Sequence, residues 1–182
     1  MTSAIAAPVL IIGSWLIAPI GLDGYDSLKQ TISELAAGDS KRRTPMTLVF
    51  SLTGLCLVVT AFSMPNFSTS GRLVLALGGI SLIGVAKYPL LTMDSSRRSH
   101  TAWAAVHFTA MSCWPVFAID NDSTWIQSWE GAIFSVAIMG AMFLWFILSL
   151  RNPKLLVGLS ERFLAGANVL WPLFLAIQMA TI

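Results

Sequence analysis

Six stretches of the chain are nearly free of charge, and each approaches the twenty or so residues that a helix needs to cross a bilayer. They run at about 4–22, 46–64, 73–93, 101–119, 131–150 and 163–182. In hydrocarbon the backbone must satisfy its own hydrogen bonds, so runs of this length are read as helices. Every connection between them is short, which leaves no room for a soluble domain. The pattern therefore predicts an all-α fold: one integral membrane bundle of six transmembrane helices spanning residues 1–182.

The connection after the first run carries a pattern of its own. In "YDSLKQTISELAAGDSKRR", Leu28, Ile32 and Leu35 recur at helical spacing with polar residues between them. Asp26 or Ser27 can cap the start, Gly38 is a natural stop, and Thr31 and Glu34 have capping-box spacing inside the segment. This predicts a short amphipathic helix over about 27–37, lying on the membrane face with its apolar side down. The basic cluster Lys41, Arg42 and Arg43 follows, placed to meet lipid head groups. Small residues at Gly78, Ser81 and Gly84, and at Gly131, Ser135 and Gly140, mark helix–helix contacts. Pro115 and Pro172 lie deep in the fourth and sixth runs, where they are expected to kink their helices.

Composition agrees with this picture. Of 182 residues, 55% are hydrophobic and 11% charged, and the mean hydropathy is +0.74. The charges then set an orientation. Lys29, Lys41, Arg42, Arg43, Arg97, Arg98, Arg151, Lys154 and Arg162 fall on the first, third and fifth connections. Arg72 stands alone on the other side, and Lys87 lies inside a run. The positive-inside rule places the basic side in the cytoplasm and both termini outside it, in a cell membrane. Trp125 and Trp129 fall where an outer aromatic belt would lie. The first run has no basic residue before it and no small-residue cleavage site, so it reads as a retained helix. Cys56 and Cys113 both fall inside runs and read as apolar filler.

Lys87 and His107 stand out because each interrupts an apolar run. Lys87 precedes Asp94 by seven residues, and His107 follows His100 by seven, so each lies roughly 10 Å from its end of a short turn. The two are expected at one depth on antiparallel neighbours. A basic pair there calls for an acid on the same side, and the candidates are Asp23, Asp26, Glu34, Asp94 and Glu161, with Arg162 beside the last. The plain alternatives are a snorkelling lysine and a neutral histidine bonded to a neighbouring hydroxyl or carbonyl. Zinc at His107 and Asp94 is a weaker option, because an i, i+7 histidine pair is too far apart to bind one ion. Both histidines lie on one run, which excludes a haem ligated from two facing helices. No phosphate-binding glycine loop, nucleophile elbow or H-E-x-x-H occurs. No cofactor is expected.

The stretches "GYDSLKQTISELAAGD", "KYPLLTMD", "HTAWAAVH" and "GLSERF" give the chain a wider likeness. It resembles the prokaryotic membrane proteins grouped as domain of unknown function 998, over most of its length. The resemblance implies a six- or seven-helix membrane domain with its shared polar residues at the cytoplasmic pole. Tyr88-Pro89, Asp94 and His107 would be the counterparts of the family's aromatic-Pro, Asp and His. It implies no established activity. Three functional readings remain. The first is a non-catalytic membrane-complex subunit, or a protein that binds a lipid or small ligand at a polar cytoplasmic site. The second is an intramembrane, lipid-directed hydrolase, metal-dependent in one version, and the third a small transporter. The first is preferred because no catalytic constellation is complete. Expected partners are membrane lipids and other membrane-protein subunits, with no nucleic acid.

Overall fold

Helices form where apolar runs meet good caps. The computed structural model describes residues 1–64, 68–93, 95–119 and 125–180. It contains α1 (Thr2–Ile17), α2 (Ile32–Leu35), α3 (Arg43–Ser63), α4 (Thr69–Lys87), α5 (Arg98–Phe117), α6 (Trp129–Ser149) and α7 (Val157–Ala180). Single 3-10 turns at Trp125–Gln127 and Pro153–Leu155 precede α6 and α7, and no strand occurs among the described residues. Ser68 and Ser128 start α4 and α6 by accepting the amides of Gly71 and Gly131 on their side-chain oxygens. Arg42 closes the other end of α1: its guanidinium donates to Ala18 O at 2.9 Å and Ile20 O at 2.7 Å, carbonyls the finished helix leaves unpaired.

The six long helices close a ring. Each packs on the next in chain order, α7 returns to α1, and α5 also touches α7 across the interior. Glycine sets the tightest approach, as expected in a bundle without a hydrophobic drive between helices. A Cβ on Gly54 of α3 would lie 2.5 Å from Gly79 O of α4, and one on Gly79 would lie 2.5 Å from Gly54 O. Gly78 makes room for Met111, and Gly84 for the Trp103 ring. Gly140, by contrast, faces open space and takes no part in packing.

Val9, Phe62, Leu73, Ile133, Leu144 and Phe174 all point outward. An apolar exterior of this kind suits lipid as solvent. Four helices, α3, α4, α6 and α7, are long and apolar enough to cross a membrane. The other two expected spans are less clear-cut, because α1 is apolar but only 16 residues long and α5 carries more polar residues.

Three boundaries differ from expectation. The third run stops being helical at Lys87, not near 93, because Pro89 pushes Tyr88 out of helical geometry (φ −118°, ψ 64°). The last helix starts at Val157, not 163, and so takes in Glu161 and Arg162. The helix expected over 27–37 shrinks to the four residues of α2. Its apolar side does not face outward as expected, because Ile32, Leu35, Ala36 and Ala37 are buried against the bundle.

Candidate functional site at the basic pole

The connection between α1 and α3 folds in under the helices, and α7 holds it there. Gly158 brings α7 against the loop backbone, and Leu159 N–H donates to Leu28 O at 3.1 Å. Arg162 then collects a set of acceptors that the turns expose. Its guanidinium donates to Ser27 O (2.7 Å), Gln30 O (3.0 Å), Gly158 O (2.9 Å) and the Tyr25 hydroxyl (2.8 Å). Burial pushes the Tyr25 phenol well above its ordinary range, outweighing the opposite pull of Arg162. It therefore stays protonated and donates onward to Thr31 O at 2.7 Å.

Glu161, only 4% exposed, faces the other way. Its carboxylate accepts the Ile32 amide and, at 3.3 Å, the Ser33 hydroxyl. Both donors sit in the first turn of α2, where the sequence also places a complete capping box. Thr31 Oγ1 accepts Glu34 N–H, and Glu34 Oε1 accepts Thr31 N–H at 3.1 Å and the Thr31 hydroxyl at 3.0 Å. Neither carboxylate is within salt-bridge distance of a basic side chain among the described residues.

The far end of the same connection docks on the segment after α4. Gly38 N–H donates to Leu90 O at 2.9 Å, and Asp39 Oδ1 accepts Met93 N–H at 3.0 Å. His100, buried at the start of α5, uses Nδ1–H on Tyr88 O at 3.1 Å. A carbonyl can only accept, so that nitrogen is the donor, and in the neutral ring Nε2 is left as an acceptor. All four stretches behind the family resemblance thus meet at this pole.

Some expected groupings do not form. Lys87 is exposed at the end of α4 with its ammonium 5.5 Å from the Tyr88 ring centroid. His107 is buried higher up and donates from Nδ1 to Gly78 O at 2.8 Å. Gly78 precedes Lys87 by nine residues, about 13 Å along α4, so the two basic groups share no layer. Asp26 belongs to a surface turn, where it accepts Leu28 N–H at 2.9 Å and pairs with Lys29 at 3.1 Å. Those two contacts, the backbone bond foremost, hold its carboxyl below the ordinary range. Asp94 lies outside the described residues. Of the basic cluster, Lys41 and Arg43 are exposed, while Arg42 is engaged with α1. Among the described residues no three His, Cys, Asp or Glu side chains come close enough to hold a metal ion.

Two cavities adjoin Glu161. A small one of about 30 Å³ separates it from His107 within the bundle. A larger one, about 580 Å³, opens between α5 and α6. Its floor is polar, with Glu161, Glu34, Ser33 and His100, and its walls are apolar, with Phe108, Phe143 and Phe146. The Phe108 ring lies 6.1 Å from that of Phe143 and 5.4 Å from that of Phe146. Ala105, Ile147 and Leu150 form an exposed rim on the outside of the bundle. A third cavity, about 480 Å³ between α6 and α7, is lined mostly by apolar side chains among the described residues, and the hydroxyl of Ser135 in its wall is committed to Gly131 O. The aromatic wall and Tyr25 were not singled out from the sequence, since Phe143 and Phe146 look like any other residues of an apolar run.

No curated protein and no solved structure matches the chain. The sequence model of one family, described as "Protein of unknown function (DUF998)", matches residues 5–178, and with nearly its whole length covered the chain belongs to that family.

Proposed function

We propose that this protein binds a lipid-like amphiphile at the cytoplasmic pole of a six-span bundle in the cell membrane. The observation that carries the reading is the 580 Å³ cavity between α5 and α6, whose volume falls in the range of small-ligand sites. A polar floor with two carboxylates lies beneath an aromatic wall, and the rim faces the apolar exterior. A head group would rest against Glu34 and Glu161, and a tail would leave sideways past Ile147 and Leu150 into the bilayer. Among the described residues no three His, Cys, Asp or Glu side chains gather to hold a metal ion, and no hydroxyl lining this cavity is hydrogen-bonded to a histidine. The interior of the opposite half is filled by a core that includes Leu57, Leu75, Met111, Trp114 and Leu175. The hydrolase and transporter readings therefore draw less support than binding.

The test is retention of amphiphile through purification. The protein is expected to carry about one amphiphile per chain after washing in a nonionic detergent, seen by extraction and mass spectrometry. Ala105→Trp fills the rim from an exposed position and is expected to lose it. Equal retention by the variant would overturn the reading.

A further inference from the structure

We infer that the head group bound in this cavity is a cationic amine or quaternary ammonium. The inference rests on the amphiphile-binding reading above and asks which chemistry the floor accepts. Hydrogen-bonding capacity gives the first constraint. The Thr31 hydroxyl donates to Glu34, that of Ser33 to Glu161, that of Ser95 to Thr92 O and that of Thr101 to Arg97 O. The Nδ1–H of His100 is spent on Tyr88 O. The protons of these lining side chains are thus committed within the protein, and Ser96 at the exposed rim is the remaining hydroxyl. What the floor offers a ligand is lone pairs: two carboxylates, hydroxyl oxygens and His100 Nε2. A ligand that matches it brings donors or positive charge.

Charge gives the second constraint. No lysine or arginine lines the cavity among the described residues. The nearby cations are turned elsewhere: Arg162 onto loop carbonyls and Tyr25, Arg97 towards Pro89 O and the Tyr88 ring, Lys87 onto the same ring. An anionic head would face Glu34 and Glu161 with no lysine or arginine among the described lining residues to meet it, in a setting where isolated charge is costly. An ammonium gains both carboxylates. The third constraint is the wall. Phe108, Phe143 and Phe146 present the aromatic surface against which alkylated ammonium groups are held.

Competition among amphiphiles with one tail and different heads separates this inference from the reading beneath it. The full-length protein in maltoside micelles binds a tail-labelled dodecyltrimethylammonium probe, and unlabelled dodecyltrimethylammonium, dodecanol and dodecanoate compete. The ammonium is expected to compete at least about tenfold better than dodecanol, with dodecanoate weakest. Glu34→Gln, at a half-exposed position, and Glu161→Gln are each expected to remove most of that advantage. If Glu161→Gln does not fold, Glu34→Gln alone decides. Equal competition by all three heads, abolished for each by Ala105→Trp, would overturn the ammonium inference and leave amphiphile binding standing. Probe binding that is absent in the wild type would overturn the ammonium inference and leave amphiphile binding to the retention test, and probe binding unchanged in Ala105→Trp would overturn both.

Discussion

An alanine at position 158 would place its Cβ 2.5 Å from the Ser27 carbonyl oxygen and closer still to that of Gln30. Both are backbone atoms held by Arg162, so neither can swing aside as a flexible side chain would. Gly158→Ala is therefore expected to destabilise the protein by about 1–3 kcal/mol, the usual cost of forcing extra volume into a packed contact. Gly140→Ala is its control. Its Cβ meets open space inside α6, and alanine is the better helix former by about 1 kcal/mol, so stability should hold or rise. Thermal unfolding of both variants in detergent checks the pair, and equal losses would refute the contact. The sequence shows a glycine opening "GLSERF" but cannot show why it is needed. The close approach exists only because a loop more than a hundred residues away folds under α7. Glu161 and Arg162 were legible as polar-cluster candidates for their charge alone. Their division of labour, one holding the α2 amide and the other the turn carbonyls, depends on that same long-range contact.

At the scale of elements, α2 shows how local and distant signals compete. The spacing of Leu28, Ile32 and Leu35 predicts three turns of helix, yet one turn forms. Asp26 caps its own turn through Leu28 N–H, and Gln30 O and Ser27 O are drawn to Arg162, so residues 26–30 have acceptors committed outside any helix. The capping box was legible from Thr31 and Glu34, but it marks the start of the helix and not its interior. Thr31→Ala removes the side-chain acceptor of the Glu34 amide and is expected to cost about 1 kcal/mol. Hydrogen exchange is the direct measurement. Amides of residues 32–37 should exchange faster in the variant while those in the middle of α3 stay unchanged. A uniform change along the chain would count against a local cap. The Lys87–His107 pairing failed for a related reason. It took the turn to begin near Asp94, and Pro89 ends α4 six residues sooner, which shifts every depth estimate on that helix by about 9 Å.

Over the whole molecule, the all-helical architecture was legible because hydrocarbon-length apolar runs leave the backbone few choices. The order of the ring was not, since it depends on which small residues meet, as Gly54 meets Gly79. The expected orientation rests on charge. Lys29, Lys41, Arg43, Arg98, Arg151 and Lys154 stand exposed near one end of the bundle, and the proposed site lies at that end. A head group drawn from the inner leaflet needs that end in the cytoplasm, as the positive-inside rule has it. Cysteine labelling tests the placement. Cys56 and Cys113 are first replaced by alanine, and single cysteines are then introduced at Ser96, exposed before α5, and at Thr69, exposed at the opposite end where α4 begins. A membrane-impermeant maleimide added to intact cells should label Thr69→Cys and leave Ser96→Cys unlabelled until the membrane is opened. The reverse pattern would put the carboxylate floor on the outer face, and an amphiphile would then have to enter from the outer leaflet. Labelling of both sites in intact cells would mean that the helices between them do not separate two compartments, and the six-span bundle would fall with the orientation.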